Sequence, residues 1–187
     1  MSFTRIIYLI LIFIACWSTY YLFDKQQTST IQVPPNVELP SFSGKSLNNI
    51  SYSQTGIRSY LVESTYLEHY SEVGDTHFQN PVLSVYRDGQ TIEWRITADR
   101  AIMDKNQVVT FYGNVVAKNL LPEASFDTMT TDKMVVELTS RDFYSETPVH
   151  MIGTFFETEG QAMKGNFGTN NATLFNSVQG RYETLTP

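Results

Sequence analysis

The sequence predicts an all-β domain, and three observations carry that reading. Apolar Ile92, Trp94, Ile96 and Ala98 alternate with Glu93, Arg95, Thr97 and Asp99, and Val109, Phe111, Gly113 and Val115 alternate in the same way. Period-two alternation gives a strand one apolar face and one solvent face, with Glu93 on the latter. This two-stranded unit recurs along the chain. No long amphipathic helix competes with it, because Met134, Val136 and Leu138 in MTTDKMVVEL also fit period two.

At the amino terminus, residues 6–23 (IIYLILIFIACWSTYYLF) carry no charge and no proline. About 18 residues at about 1.5 Å each reach roughly 27 Å as a helix, enough to cross a bilayer. Arg5 and the terminal amine precede the run, while Asp24 and Lys25 follow it and cancel. The positive-inside bias therefore makes residues 1–5 a cytoplasmic stub and places everything after Phe23 outside. Trp17, Tyr20 and Tyr21 lie near the far end, where amphipathic rings favour the headgroup level. A cleaved signal peptide would want a shorter apolar core and a small-x-small site. A lipid anchor on Cys16 would want a smaller residue than Phe13 three places upstream. Cys16 is the single cysteine, so the exported part relies on its own core rather than on disulfides.

Residues 24–49 are dominated by Gln, Thr, Ser, Asn and Pro, with Pro34-Pro35, Pro40 and Gly44. Apolar residues there are too sparse for a core, and the stretch reads as an extended tether. Residues 50–187 make a single domain of ordinary size, rich in Tyr, Phe, Thr and Val.

The repeat organises that domain. Asp104-Lys105-Asn106 has the residues of a tight reversal between two of its strands. Ser64, Asp99 and Asp132 open three copies about 33 to 35 residues apart, within the range of stacked supersecondary repeats. A strand pair with one apolar face is not stable alone, so successive copies must stack or fold over one another. An ordinary antiparallel sandwich is the alternative arrangement.

Charge and residue inventory exclude several functions. The formal net charge is −6, with no cluster of Lys or Arg, which disfavours nucleic acid as a partner. His69, His77 and His150 have no cysteine or closely spaced carboxylate beside them, so no metal set is expected. Asp99 and Asp132 each precede a basic residue, and their equivalence by repetition points to turn hydrogen bonds or cross-strand pairing rather than a catalytic pair. Nucleophile-elbow, P-loop and dinucleotide motifs are absent, and the glycine- and asparagine-rich residues 164–172 read as hairpin turns. Neither catalytic residues nor a cofactor is expected.

The amino-terminal apolar helix, FQNPVL (78–83), WRITADRA (94–101), FYGNV (111–115), TTD (130–132) and GTFFETEGQAMKGN (153–166) follow one another in an order that resembles the LptC family of lipopolysaccharide-export proteins. The ADxA and YGxV patterns belong to a wider group of export β domains. Their order together with the anchor makes the resemblance specific.

The resemblance implies an open antiparallel β-jellyroll, shaped like a twisted boat, whose two sheets enclose an apolar groove for the acyl chains of lipopolysaccharide. It implies a non-enzymatic periplasmic carrier anchored in the inner membrane. Such a carrier accepts lipid from an ATP-driven ABC transporter, LptBFG, and passes it to the bridge protein LptA. A structural envelope scaffold that docks both partners without binding lipid is the alternative, and it would have a filled interior.

On that fold, alternation and size make Phe78, Val82, Trp94, Ile96 and Phe111 inward candidates for lipid contact. Val136, Met151 and Phe155 continue the set, and Ala172, Leu174 and Tyr182 complete it. Phe78, Ala172 and Tyr182 come from the first and last parts of the domain, where the groove's openings are expected. Gly113, beside Tyr112, and Gly153 are expected to serve backbone geometry at a bulge or a close approach. Residues 167–183 form the edge expected to meet LptA, and the strand near Ile50 to Ser53 is expected to meet the transporter's periplasmic β domain.

Overall fold

The computed structural model describes residues 39–182 apart from 123 and 125, together with residues 8, 12–14, 16–18 and 20, which are helical. Among the described residues no helix is long and apolar enough to cross a membrane. The expected cytoplasmic stub, most of the expected span and the expected tether up to residue 38 lie outside the described residues. The chain divides into Met1–Glu38 and Leu39–Pro187.

Within Leu39–Pro187 the described residues form an antiparallel meander of long arms. The first two are β1 (Phe42–Tyr52) and β2 (Arg58–Tyr70). The third is β3 (Asp75–Gln79) continued by β4 (Val82–Tyr86), and the fourth is β5 (Ile92–Thr97) continued by β6 (Arg100–Met103). Then come β7 (Val108–Asn119), β8 (Thr128–Glu137), β9 (Asp142–Ser145) with β10 (Val149–Ile152), β11 (Phe156–Gly160) with β12 (Ala162–Asn166), and β13 (Asn171–Phe175) with β14 (Gln179–Tyr182).

Every arm is creased near its middle. The half of β7 before Gly113 pairs with β6 and the half after Asn114 pairs with β5. Likewise β2 divides its pairing between β3 and β4, and β8 divides its own between β9 and β10. One sheet is thus folded over into two layers. The first layer holds β3, β6, β9, β12 and β13; the second holds β4, β5, β10, β11 and β14.

Left-handed backbone makes the crease in the first, third, fifth and last arms. Ser46, Asn80, Gly113, Asn114, Asn176 and Ser177 have φ between 47° and 75°, a region that favours Gly and Asn and that turns a strand sharply. Ser64, Asp99 and Asp132 all fall on or beside this line, between the pairing blocks of their arms. The recurrence in the sequence is therefore the spacing of two arms. Around Thr131 the crease is tied by hydroxyls: its Oγ1 lies 3.0 Å from Ser145 Oγ and 2.7 Å from Thr147 Oγ1, and it donates to the Pro148 carbonyl at 2.9 Å.

The first arm departs from the sequence reading. The tether was expected to run to residue 49, yet β1 starts at Phe42 and pairs with β2 along its whole length. Its side chains are exposed or half-buried throughout, so it is held by backbone hydrogen bonds and by Leu47 against the core. A strand of that kind leaves no alternating apolar face in the sequence to detect.

Candidate functional site

The two layers enclose a slot whose axis crosses the arms. Cross-strand partners share a face, so the register fixes what points into the slot. From the first layer come Leu67, Phe78, Ala101, Phe111, Met134, Val136, Phe143 and Met163; from the second, Val62, Leu83, Trp94, Ile96, Val115, Met129, Val149 and Met151. These side chains fill the middle of the slot. Phe167 stands between Trp94, at 4.9 Å ring to ring, and Phe143, at 4.2 Å. Tyr60, Val85, Val136, Leu138 and Phe167 leave a void of about 10 Å³, at the lower limit for one water molecule.

The carboxy-terminal end of the slot is different. On β11 and β14 the inner face carries Phe156, Thr158, Gly160, Gly180 and Tyr182, opposite Ala172 and Leu174 on β13. Ala172 and Leu174 are half-buried against the core, and Tyr182 is 76% exposed with its ring 6.2 Å from Phe156. Tyr182 sits on the last strand with no further arm beside it among the described residues. Among the described residues the slot ends there in an open apolar surface. Residue 183, the end of the expected docking edge, lies outside the described residues.

The expected site residues are distributed unevenly. Trp94, Ile96, Phe111, Val136 and Met151 point into the filled middle. Phe78, expected near an opening, is 2% exposed within that core, because β3 is covered by β2 on one side and β6 on the other. Val82 was expected inward and faces out instead. Asn80, with φ 47°, creases the third arm between Phe78 and Leu83, and the alternation shifts by one residue, so Leu83 takes the inner position.

Phe155 is likewise corrected: it is 50% exposed in the turn after β10, and its neighbour Phe156 points inward. The turn at 153–155 resets the parity. Glu93 does not face solvent, being 2% exposed. It is covered by the turn between β12 and β13, which reaches across from the other layer.

That turn brings together residues the sequence reading did not connect. Asn170 Oδ1 accepts from Trp94 Nε1 at 3.0 Å and from Asn119 Nδ2 at 3.2 Å, and Asn170 Nδ2 donates to Glu93 Oε1 at 2.7 Å. Arg87 Nη2 reaches the same carboxylate oxygen at 3.2 Å. Phenylalanine inside an Asn- and Gly-rich turn was the available signal, since a solvated turn has no use for that ring.

The two glycines expected to serve backbone geometry each hold a close approach. A Cβ on Gly113 would meet Asp99 Oδ2 at 2.5 Å, and one on Gly153 would strike the Phe156 ring. Tyr112, beside Gly113, faces outward with the Lys133 ammonium 5.8 Å from its ring centre. Asp99 binds the crease: its carboxylate accepts from Asn114 Nδ2 at 2.8 Å and its carbonyl accepts from the Asn80 amide at 2.9 Å.

The histidines serve local contacts. His69 Nδ1 lies 3.0 Å from Thr76 Oγ1 and its ring stacks on Phe42, while His77 lies against Tyr70. His150 Nε2 lies 2.7 Å from Glu157 on the outer face of the open end. That hydrogen bond, and then the charge of Arg181, hold the Glu157 carboxyl below the usual range. Among the described residues no group of three His, Cys, Asp or Glu side chains could hold a metal ion.

Comparison with known proteins agrees with this architecture. Residues 8–183 match the model of a family described as "Lipopolysaccharide-assembly, LptC-related". The chain is 29% identical over 158 residues to the lipopolysaccharide export system protein LptC of Escherichia coli K12, covering 84% of this chain and 83% of that one. It is 26% identical to the Haemophilus influenzae protein of the same name, over 88% of this chain and 87% of that one. Its fold is similar to the crystal structure of LptH, described as the LptA-homologous periplasmic component of the lipopolysaccharide transport device of Pseudomonas aeruginosa. The TM-score is 0.52 at 11% identity, over 67% of this chain and 95% of that one.

Proposed function

Since this chain belongs to the LptC-related lipopolysaccharide-assembly family, we propose that it is a non-enzymatic lipopolysaccharide carrier of the inner membrane. It is anchored by residues 6–23, and it receives lipid from the LptBFG transporter and passes it to LptA. The observation that carries this reading is the open apolar end of the slot, where Phe156, Ala172, Leu174 and Tyr182 form a half-covered inner surface. Hydrocarbon buried there gains about 0.8 kcal/mol per CH₂. An acidic chain, net charge −6, then holds an anionic lipid through its tails rather than its phosphates. Transport energy comes from ATP hydrolysis by the partner.

The edges supply the docking. β13 and β14 end the two layers on one side, and β1 ends both on the other. Edge strands present unpaired backbone groups on which a partner adds a strand. LptA docks on the β13 and β14 side, extending the slot, and the transporter's periplasmic β domain docks on β1 near Ile50 to Ser53.

One observation favours the scaffold alternative. The middle of the slot is filled by the chain's own side chains, Trp94 and Met134 among them with no exposed surface. In the carrier reading the layers part to admit lipid; in the scaffold reading they stay closed.

Photo-crosslinking in the cell envelope decides between them. A reactive side chain is placed singly at Phe78, Ala172 and Tyr182, and at outward Lys118 as control. ATP-dependent adducts with lipopolysaccharide at Ala172 and Tyr182, with none at Lys118, are expected of a carrier. A folded, partner-bound chain with no adduct at any inner position is a scaffold.

A further inference from the structure

The two layers are joined by covalently continuous strands along the crease, and the opposite long side of the slot is where the turns of each layer come face to face. There the layers are held by polar side-chain contacts from two short turns, the one that carries Asn170 and the one that carries Arg141. Asn170 binds Trp94, Asn119 and Glu93 of the other layer, and Arg141 Nη2 donates to the Tyr86 carbonyl at 3.2 Å. We propose that Asn170 is a releasable clasp across this mouth, and that hydrocarbon enters the slot when the clasp lets the layers part about the crease. The role in loading rests on the carrier reading; the clasp itself does not.

Three features make this the side that opens. The clasp is one side-chain amide, whereas the crease is crossed by backbone. Each such hydrogen bond is weak in net terms because water replaces it on opening, and releasing the few at the clasp costs far less than separating paired strands. Release also leaves no orphaned charge, because Glu93 keeps Arg87, whose side chain is 43% exposed; a buried carboxylate stripped of its only cation would be prohibitive. Trp94 Nε1 and Asn119 Nδ2 lose their acceptor but meet water in the same movement.

The turn is also built to move as a unit. Asn166 Oδ1 accepts from the Gly168 and Thr169 amides at 2.8 and 3.1 Å, and Asn166 Nδ2 donates to Asp142 Oδ1 at 2.6 Å within the turn's own layer. Asn170 itself has φ 51°. When this unit withdraws it takes Phe167 with it, and the space between Trp94 and Phe143 becomes an apolar slit. Filling by Phe167 in the closed state and by an acyl chain in the open state are then alternatives.

The test uses the full chain in a Cys16→Ser background with Asn119→Cys and Asn170→Cys together. Oxidation with a short dithiol linker bridges the mouth, and only chain shown by mass spectrometry to carry the bridge is scored. Loading of purified lipopolysaccharide is expected to be lost on oxidation and regained on reduction, with each single-cysteine variant loading in both conditions. An oxidised double variant that loads as well as the reduced one overturns the proposal.

A second arm needs no lipid. Asn170→Gly keeps the left-handed backbone and removes only the amide. Hydrogen exchange is expected to speed up at the Leu120 and Phe167 amides, which donate to Glu93 and Arg141 carbonyls at 2.9 Å, and to stay unchanged at Val115 and Thr131 on the crease. Unchanged exchange at Leu120 and Phe167, or loss of protection at the crease as well, overturns the clasp. If the unmodified chain loads no lipid at all, the carrier reading has failed, and this exchange result still decides the clasp.

Discussion

Asp99 and Gly113 face each other across the crease: the Asp99 amide donates to the Gly113 carbonyl at 3.0 Å, and a Cβ on Gly113 would stand 2.5 Å from Asp99 Oδ2. Gly113 has φ 75° and opens the bulge at which β7 passes from one layer to the other. Two arms are therefore folded by one close approach.

Gly113→Ala combines a disfavoured backbone with that collision. We expect a loss of about 1–3 kcal/mol of stability, read as a fall in Tm, with Asp99→Ala in the same chain relieving part of it. An alanine variant with unchanged Tm would mean that the crease yields freely at this point.

At the open end, Gly153 lies beneath the Phe156 ring and its amide donates to the Phe156 carbonyl at 2.8 Å. Gly153→Leu pushes Phe156 off the inner face without touching the middle of the core. Lipid crosslinking at Tyr182 is expected to fall while far-ultraviolet circular dichroism is retained. Normal crosslinking in that variant would remove Phe156 from the lipid surface.

Buried and half-covered aromatics should separate cleanly. Phe143 is 1% exposed against Phe167 and Met163, so Phe143→Ala should cost about 3–5 kcal/mol. Tyr182→Ala should leave stability within about 1 kcal/mol of the parent and weaken lipopolysaccharide binding. Equal stability losses in the two variants would contradict an open end.

Acid should loosen the hairpin turns before the layers. The Asp104 carboxylate accepts from the Val108 and Asn106 amides at 2.9 and 2.8 Å, and these bonds, that from Val108 foremost, hold its carboxyl below the usual range. A depressed carboxyl stabilises fully above its unfolded value, near pH 4, and that contribution is lost as pH falls through the lower folded value. Amide exchange at Val108 should rise with protonation below about pH 4. In Asp104→Asn, which keeps an uncharged acceptor, the acid limb should flatten; a limb unchanged from the parent would assign it elsewhere.

How much of this was legible depended on what each residue answers to. Alternation through residues 92–98 and 109–115 is a local signal, and it correctly gave Trp94, Ile96 and Phe111 their inner face. The same counting failed at Val82 and Phe155, because Asn80 and the 153–155 turn each shift parity, and such a shift depends on backbone geometry rather than hydropathy. β1 was missed because its stabilisation is backbone pairing with β2. Glu93 looked solvated because the turn that covers it lies more than seventy residues away, at Asn170.

By itself, then, the sequence determined the all-β class, the two-arm recurrence marked by Ser64, Asp99 and Asp132, and the apolar stripe of the core, since period two and turn chemistry act between near neighbours. Only the tertiary structure decided which end of the slot is open, where Asn170 closes the mouth, and that the middle is filled. Those depend on folding one sheet over on itself, which sets residues from distant arms face to face, and no local pattern encodes that meeting.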